Sequence, residues 1–440
     1  MSKRNPWLFA EIERWTKELI ITPEQAGRLR ALYPDTSTGV SWGLIVFSSL
    51  GAVVVGLGII LLLAYNWTEI PKFGKLGLIF GTLAVAHGVG LWLRWSTPPR
   101  PEIGEAGSIL GSMVFGAGIW LVAQIYNIDE HFPTGFLVWG VGTLALAWAL
   151  NSVPQGILAA VTLTIWGCSE VFSFEAPVDY SSALILVGIG PLVWRKQSAL
   201  LGGVAIGGLA ILVIANAAFW SGGGGAFTAA LSLSTLLIAA SRLMDETTSR
   251  RLRQVLAFFG LTGFVVCCYI LSFDDTVRHV LRWTNDHQRS TPMALVYRWC
   301  LFALALGAWS GLLFKRWTRG KSVAARMEEW LCPIALLYCQ ALAFMDTSRG
   351  DATFVAVVFN LVCLGIATMW MVRGSREGQL KSVILGSLFF AALVFARYFD
   401  LFESLALRGV VFLVLGGVLF AEGLFYRKLR HAEETNGDAL

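Results

Sequence analysis

The 440-residue chain is too apolar for a soluble protein, because 56% of its residues are hydrophobic and 14% are charged, whereas about a quarter of a soluble chain is charged. Its mean hydropathy is +0.65. The net charge of +5 is explained by basic residues in membrane loops, so it gives no reason to expect a nucleic-acid partner.

Residues 1–38 are predicted to form an amphipathic helical hairpin in the cytoplasm. Apolar residues recur at helical spacing from Leu8 to Ile20. Thr22, Pro23 and Gln25 then have the pattern of a helix start, with Thr22 as the N-cap and Gln25 completing a capping box. Two short helices cannot hold a core alone. We therefore expect the hairpin to dock on its own membrane domain, on the bilayer surface or on a protein partner.

From Ser41 to Tyr426 the chain is a series of apolar segments, each long enough to cross a bilayer. Backbone polar groups in hydrocarbon must be satisfied internally, so these segments are predicted to be helices. The pattern predicts an all-α polytopic membrane protein with about 14 spans, although 12 or 13 remain open. The predicted centres are Val54, Val85, Phe115, Leu144, Leu163, Leu186, Gly207, Ser232, Gly263, Leu304, Leu337, Val358, Phe390 and Leu415.

The distribution of Lys and Arg gives these segments an orientation, because cytoplasmic loops carry an excess of basic residues. With the N-terminus inside, most of the basic residues fall in predicted inner loops, such as Arg195–Lys196 and the group from Arg242 to Arg253. Both termini are therefore predicted to be cytoplasmic. The glycine run Gly222–Gly225 is predicted to be a flexible turn between the seventh and eighth segments.

Two stretches of the chain resemble each other at an offset of about 60 residues. They are Leu50–Leu61 and Leu110–Leu121, which share Leu, Gly, Val, Ile and Leu positions and lead to Tyr65 and Tyr126 respectively. One interpretation is duplication of a two-helix unit. The other is that glycine-rich membrane helices resemble one another by composition, since small residues allow helices to pack closely.

A few polar residues lie inside or at the ends of the apolar segments, where each is a functional candidate because its insertion is costly. His87 and Asn360 lie near segment centres, whereas Gln124, Glu170 and Gln340 lie near segment ends. They could line a solute site, or they could form hydrogen bonds between helices. The same candidate set includes residues of three outer-face clusters: Asn66 and Trp67; Gln124, Tyr126 and Asp129; and Arg397, Asp400 and Arg408.

No catalytic function is predicted. The sequence has no nucleophile–base pair and no phosphate-binding loop. Asp129, Glu130 and His131 include metal-ligating types, but three adjacent side chains converge poorly on an ion, so neither a metal nor another cofactor is predicted. The seven cysteines form no Cys-x-x-Cys pair and are interpreted as small buried apolar residues. The outer loop from Phe273 to Pro292 is predicted to contain a short interfacial helix.

The chain resembles the domain of unknown function 2157 family over roughly residues 8–150. The resemblance rests on Ile21–Gln25, on Tyr65-Asn66-Trp67 with Ile70-Pro71, and on Gly116–Ile119 with Gln124–Tyr126. A weaker likeness lies in the run from Arg397 to Gly416. The resemblance implies a multi-spanning protein of the bacterial cytoplasmic, or inner, membrane, and it implies no activity or site.

These observations predict four parts: a hairpin at 1–38, a four-helix membrane unit at 39–150, the remaining membrane helices at 151–428 and a polar cytoplasmic tail at 429–440. Two functions are compatible with them. The first is a transporter or channel-like protein for an unidentified small solute. The second is a non-transporting scaffold or sensor that binds a protein partner through residues 1–38 or through the outer loops. The lipid bilayer is the one partner required by both.

Overall fold

The computed structural model describes residues 6–32, 70–96, 101–128, 131–244, 250–285, 292–318, 327–342, 349–401, 409–410 and 412–422. Regular structure in these ranges is helical, without a β-strand. The helices are α1 (Pro6–Lys17), α2 (Pro23–Leu32), α3 (Lys72–Trp95), α4 (Pro101–Tyr126), α5 (Pro133–Ala149), α6 (Val153–Ser173), α7 (Asp179–Gly188), α8 (Gly190–Lys196), α9 (Ala199–Leu243), α10 (Arg250–Leu271), α11 (Asp274–Asn285), α12 (Pro292–Thr318), α13 (Met327–Leu342), α14 (Arg349–Arg376), α15 (Leu380–Leu401) and α16 (Phe412–Glu422).

The described helices confirm an all-α protein with several apolar helices. Eight segments are long and apolar enough to cross a membrane, and the shorter apolar helices α5, Leu331–Ala341 within α13, and α16 accompany them. The predicted number of about 14 spans therefore remains a prediction. The first predicted segment, around Val54, and the first copy of the repeat, Leu50–Leu61, lie outside the described residues.

The chain divides into two units, Met1–Lys75 and Leu76–Leu440. In the first unit, α1 and α2 contact each other. The predicted capping box is confirmed: the backbone N–H of Gln25 donates to Thr22 Oγ1 over 3.2 Å, and the N–H of Thr22 donates to Gln25 Oε1 over 2.9 Å. Both orphan donors at the start of α2 are thereby satisfied, which is the reason this sequence pattern begins a helix.

In the second unit, α9 is made of two candidate membrane spans, Ala199–Trp220 and Gly224–Leu243, which meet at the glycine run. Helical structure extends into these glycines, from Ala199 to Leu243. The chain reverses there, where the sequence predicted a turn. Added Cβ atoms at Gly203 and Gly207 would meet the ring of Phe259 in α10, while one at the next residue, Gly260, would meet Ile238 in the second half of α9. A straight helix would separate residues 203 and 238 by about 53 Å, so the two halves must lie side by side.

Glycines bring several helix pairs into backbone contact. A Cβ at Gly90 in α3 would lie 2.8 Å from the backbone N of Ser108 in α4, and one at Gly104 would lie 2.6 Å from the O of Gly90. Gly386 in α15 is similarly close to α14, since its Cβ would lie 2.9 Å from the O of Ala367. In lipid such close approach is a principal source of helix association, because the solvent offers no hydrophobic driving force.

The largest buried cluster joins the second half of α9 with α10 to α15. It contains Cys267, Cys268, Cys332, Cys339 and Cys363, which confirms their interpretation as small buried apolar residues. Cys300 is exposed and Cys168 half-buried. A second cluster joins α5 to the first half of α9. The predicted interfacial segment is also helical: α11 buries Val277, and Thr353 of α14 donates to Asp274 Oδ1 over 3.1 Å.

Candidate functional site

Three polar side chains form a cluster that joins α10, α14 and α15; we call Ser272, Asn360 and Arg397 the Arg397 cluster. The Nε of Arg397 donates to Asn360 Oδ1 over 3.0 Å. Its Nη2 donates to Ser272 Oγ over 2.8 Å and also to the backbone O of Ser272. Asn360 Nδ2 donates to that same carbonyl over 2.9 Å and to the O of Ala356 over 2.8 Å. One guanidinium and one amide thus satisfy a carbonyl from another helix.

The position of Arg397 has a clear electrostatic cause. Ser272 directly follows the last residue of α10, where backbone carbonyls lack intrahelical partners and the helix dipole is negative. A cation is stabilised at this end of the helix. The guanidinium carbon of Arg397 also lies 4.3 Å from the ring centroid of Phe273, so the charge gains a cation–π contact. The cluster thus connects the end of α10 to α14 and α15.

Arg397 and Asp400 were predicted to lie in an outer-face cluster between the last two helices, and in the structure α15 continues through both residues to Leu401. Arg397 contacts residues more than thirty positions away, on α14 and after α10. Arg408 lies outside the described residues, and so do the predicted candidates Asn66, Trp67 and Asp129.

His131, Trp166 and Glu170 form a second polar cluster, the Glu170 cluster, between the start of α5 and the end of α6. His131 Nε2 lies 2.6 Å from Glu170 Oε2, and Trp166 Nε1 donates to Glu170 Oε1 over 3.0 Å. The edge of the His131 ring packs on Phe174, with ring centroids 4.0 Å apart. The Glu170 carboxylate is 10% exposed, so each of its two oxygens has a donor at a nearly buried site, as buried carboxylates require.

Three further groups of polar residues form hydrogen bonds between helices or to connecting segments. Asn216 in α9 accepts from the backbone N–H of Val178 over 2.8 Å and donates to the O of Leu212 over 2.9 Å. Gln155 in α6 is fully buried and donates to the O of Ser108 over 3.0 Å. Arg298 in α12 donates from Nε and Nη2 to Gln340 Oε1 in α13. The hydrogen bonds of these amides and of this guanidinium therefore connect parts of the protein to each other.

Among the described residues, the other predicted site residues are His87, Gln124 and Tyr126, and they are not brought together with the two clusters. His87 is half-buried in α3 and its ring lies against Gly111 of α4, where an added Cβ would be 2.7 Å from the imidazole. Gln124 and Tyr126 lie in the last turn of α4 with exposed side chains. Neither is a residue of the Arg397 cluster or of the Glu170 cluster. In the described part of the chain, no group of three or more His, Cys, Asp or Glu side chains could hold a metal ion.

Sequence reasoning identified Asn360 and Arg397 separately but missed their contact, and it treated Glu170 and His131 as unrelated. One signal could have joined them: His131 directly precedes the start of α5 and Glu170 lies in the last turn of α6, so antiparallel packing of these two helices brings the two residues together. Ser272 gave no signal, because its role depends on the end of a helix and on a side chain 125 residues away.

A cavity lies beside the Glu170 cluster. It has a volume of about 600 Å³ and is lined by α3, by α4 and by the start of α5. Its walls are almost entirely apolar, with His131 and Thr134 as the ionisable and hydroxyl-bearing side chains among the described lining residues. Neither His87 nor Asn360 lines it.

The fold and these clusters define a polytopic α-helical membrane protein whose polar residues mainly connect its helices. Residues 13–156 match the family model described as "Predicted membrane protein (DUF2157)", so this part of the chain is similar to that family, as the resemblance over residues 8–150 predicted. No curated protein and no solved structure matches the chain.

Proposed function

We propose that this protein is a non-transporting scaffold or sensor of the bacterial cytoplasmic membrane, which binds a protein partner through residues 1–38. The proposal rests on the hydrogen bonds that the polar side chains of the apolar helices make within the protein. Asn216, Asn360, Gln155 and Gln340 each hydrogen-bond to another helix or to a connecting segment. A transporter needs such groups free to bind its substrate near the midplane.

A transporter or channel-like protein for a small polar solute is less well supported. Such a protein would require a polar cavity lined by His87 or Asn360, whereas the described cavity of about 600 Å³ is almost entirely apolar and is lined by neither. Asn360 already has three hydrogen bonds, with Ser272, Ala356 and Arg397. Opening a water path there would break this arrangement.

The proposed arrangement has about 14 spans, with both termini in the cytoplasm. Every predicted segment centre except Val54 falls within a described helix. If successive spans cross the membrane in opposite directions, helix ends that contact each other should lie on the same side of the membrane. Lys315 donates to the O of Leu243 at the proposed inner side, and His131 contacts Glu170 at the proposed outer side. The basic residues then follow the positive-inside rule.

The hairpin is the proposed partner-binding element because its surface is largely exposed and its polar contacts are local. The ion pairs Arg14–Glu18 and Arg28–Glu24 each join residues four positions apart. Such exposed pairs contribute at most about 1 kcal/mol. They join residues within one helix, so the outer surface of α1 and α2 remains available to a partner. Gly27 in α2 has open space beside it, since an added Cβ would meet nothing within 4 Å.

In-cell photocrosslinking tests this proposal. Benzoylphenylalanine at Gly27 should give a discrete adduct with one partner protein. The matched control is the same residue at Val141 of α5, which is exposed on an apolar helix and should give no such band. The adduct from Gly27 should weaken when Thr22→Ala removes the capping box. If Gly27 and Val141 give the same products, the partner-binding role of the hairpin is wrong.

A further inference from the structure

The apolar cavity of α3, α4 and α5 is lined at one place by His131 of the Glu170 cluster, which we call its polar end. Its apolar walls include Ile79, Phe115, Ile119 and Trp120, and His131 with Phe132 forms part of its lining. Its volume of about 600 Å³ lies within the range of sites that hold small organic molecules, which are typically apolar with a few placed polar groups. The combination differs from a uniformly lipid-facing helix surface.

The His131 ring is oriented by its contacts and retains one nitrogen for a ligand. An ionised carboxylate can only accept, so the Nε2 of His131 carries the proton in its contact with Glu170 Oε2. Trp166 fixes the other Glu170 oxygen, and Phe174 packs on the ring. Among the described residues, Nδ1 has no hydrogen-bond partner. Nδ1 is therefore the atom that can exchange a hydrogen bond with a bound molecule at the polar end of the cavity.

The charge of the site selects the kind of polar group that fits. No Lys or Arg is among the described lining residues of the cavity, and the one imidazole there, His131, is already hydrogen-bonded to the Glu170 carboxylate. A phosphate or carboxylate head would lose its hydration without gaining a cation, which is costly. A hydroxyl or carbonyl group needs one hydrogen-bond partner, and His131 supplies it. The chain or ring system behind that group can fill the apolar part.

We propose that this cavity binds an uncharged amphiphile, a long-chain alcohol or carbonyl compound, with its polar group at His131 and its hydrocarbon between α3, α4 and α5. This inference does not rest on the scaffold function, because a binding site of this kind is compatible with either proposed role. It assigns to His131 the contact with the ligand, and to Glu170 and Trp166 the positioning of His131.

Photoaffinity labelling with a diazirine analogue of cetyl alcohol tests the proposal on the full chain in lipid nanodiscs. Label should concentrate on peptides of α4 and the start of α5 that line the cavity. Cetyl alcohol should compete with the probe, whereas cetyl phosphate should compete at least about fivefold less well, since the site offers an uncharged head one hydrogen bond and offers a phosphate no cation.

Two variants and two controls sharpen the test. Ala123→Phe puts a ring into the cavity wall and should abolish the concentrated label, whereas Val141→Phe, on an exposed position of α5, should leave it unchanged. His131→Phe keeps a ring against Phe174 but removes Nδ1, so the affinity for cetyl alcohol should fall about fivefold. His279→Phe, on the exposed side of α11, should have no effect.

Four results would overturn the proposal. The label could spread evenly over all apolar helices, as expected for ordinary surrounding lipid, or cetyl phosphate could compete as well as cetyl alcohol. The Ala123→Phe and Val141→Phe proteins could be labelled equally, or His131→Phe could leave the affinity for cetyl alcohol unchanged. Crosslinks between two copies of the chain through this cavity would likewise overturn it, because the occupant would then be protein.

Discussion

The Nε of Arg397 lies 3.0 Å from Oδ1 of Asn360, and this hydrogen bond connects α15 to the interior of α14. Both side chains also bind the carbonyl of Ser272 at the end of α10. Three helices that are distant in sequence therefore meet at one residue.

Replacing Arg397 should lower stability much more than replacing an exposed arginine. Arg397→Gln removes the charge at the end of α10 and leaves Asn360 and Ser272 with unmet hydrogen-bonding groups, so we expect a loss of about 2–4 kcal/mol. Arg373→Gln breaks a pair with Glu377 whose two side chains are 38% and 41% exposed, and should cost less than about 1 kcal/mol. Denaturant unfolding in detergent measures both. Equal losses of stability would mean that Arg397 does not stabilise the contact between the end of α10 and helices α14 and α15.

The contact between α3 and α4 should not tolerate a methyl group at Gly90. Gly90→Ala would place a Cβ 2.8 Å from the N of Ser108, and the overpacking should cost about 1–3 kcal/mol. Gly88→Ala on the same helix meets nothing within 4 Å, so it should be neutral or should stabilise α3 by up to about 1 kcal/mol. The thermal midpoints of the two variants give the comparison. A Gly90→Ala midpoint at or above that of Gly88→Ala would contradict the close crossing.

The capping box should control the local stability of α2. Thr22→Ala removes the acceptor for the N–H of Gln25 and should cost α2 about 1 kcal/mol. Hydrogen exchange of the α2 amides should then be roughly fivefold faster. Thr16→Ala is the control: it removes a hydroxyl that donates to the O of Ile12 within α1, so it should leave exchange in α2 unchanged. Faster exchange of α2 in both variants would assign the effect to the hairpin as a whole.

The reversal of α9 can be measured directly as a distance. Spin labels at Leu200 and Arg242 should lie within about 25 Å of each other if the two halves pack side by side, since neighbouring helices are about 8–10 Å apart. The two accessible cysteines, Cys168 and Cys300, are replaced first. A straight helix would separate the labelled backbones by about 63 Å. A distance near that value would show that α9 does not reverse.

The sequence predicted those features that depend on neighbouring residues. The apolar segments, the capping box at Thr22 and Gln25, the helix α11 and the burial of most cysteines follow from spacing and composition alone. Local physics determines each of them, because helices satisfy their own backbone groups and a cap acts over three residues.

The features that were missed depend on distant contacts or on tertiary context. The helical structure that extends into Gly222–Gly225 was missed, although the chain reverses there as the predicted turn requires. Arg397 carries no mark in the sequence that pairs it with Asn360. His131 and Glu170 are brought together by the packing of α5 on α6, which neither residue indicates by itself.

The central claim is that no water path reaches the polar groups at membrane depth. Radiolytic hydroxyl-radical footprinting of the unmodified protein in nanodiscs tests it most directly, with the exposed His279 of α11 as internal reference. We predict that His87, and Cys363 beside the Asn360 turn of α14, are modified at least about tenfold more slowly than His279, because lipid and packed helices exclude water. Modification of His87 or Cys363 within about twofold of His279 would indicate a hydrated path and would contradict the account.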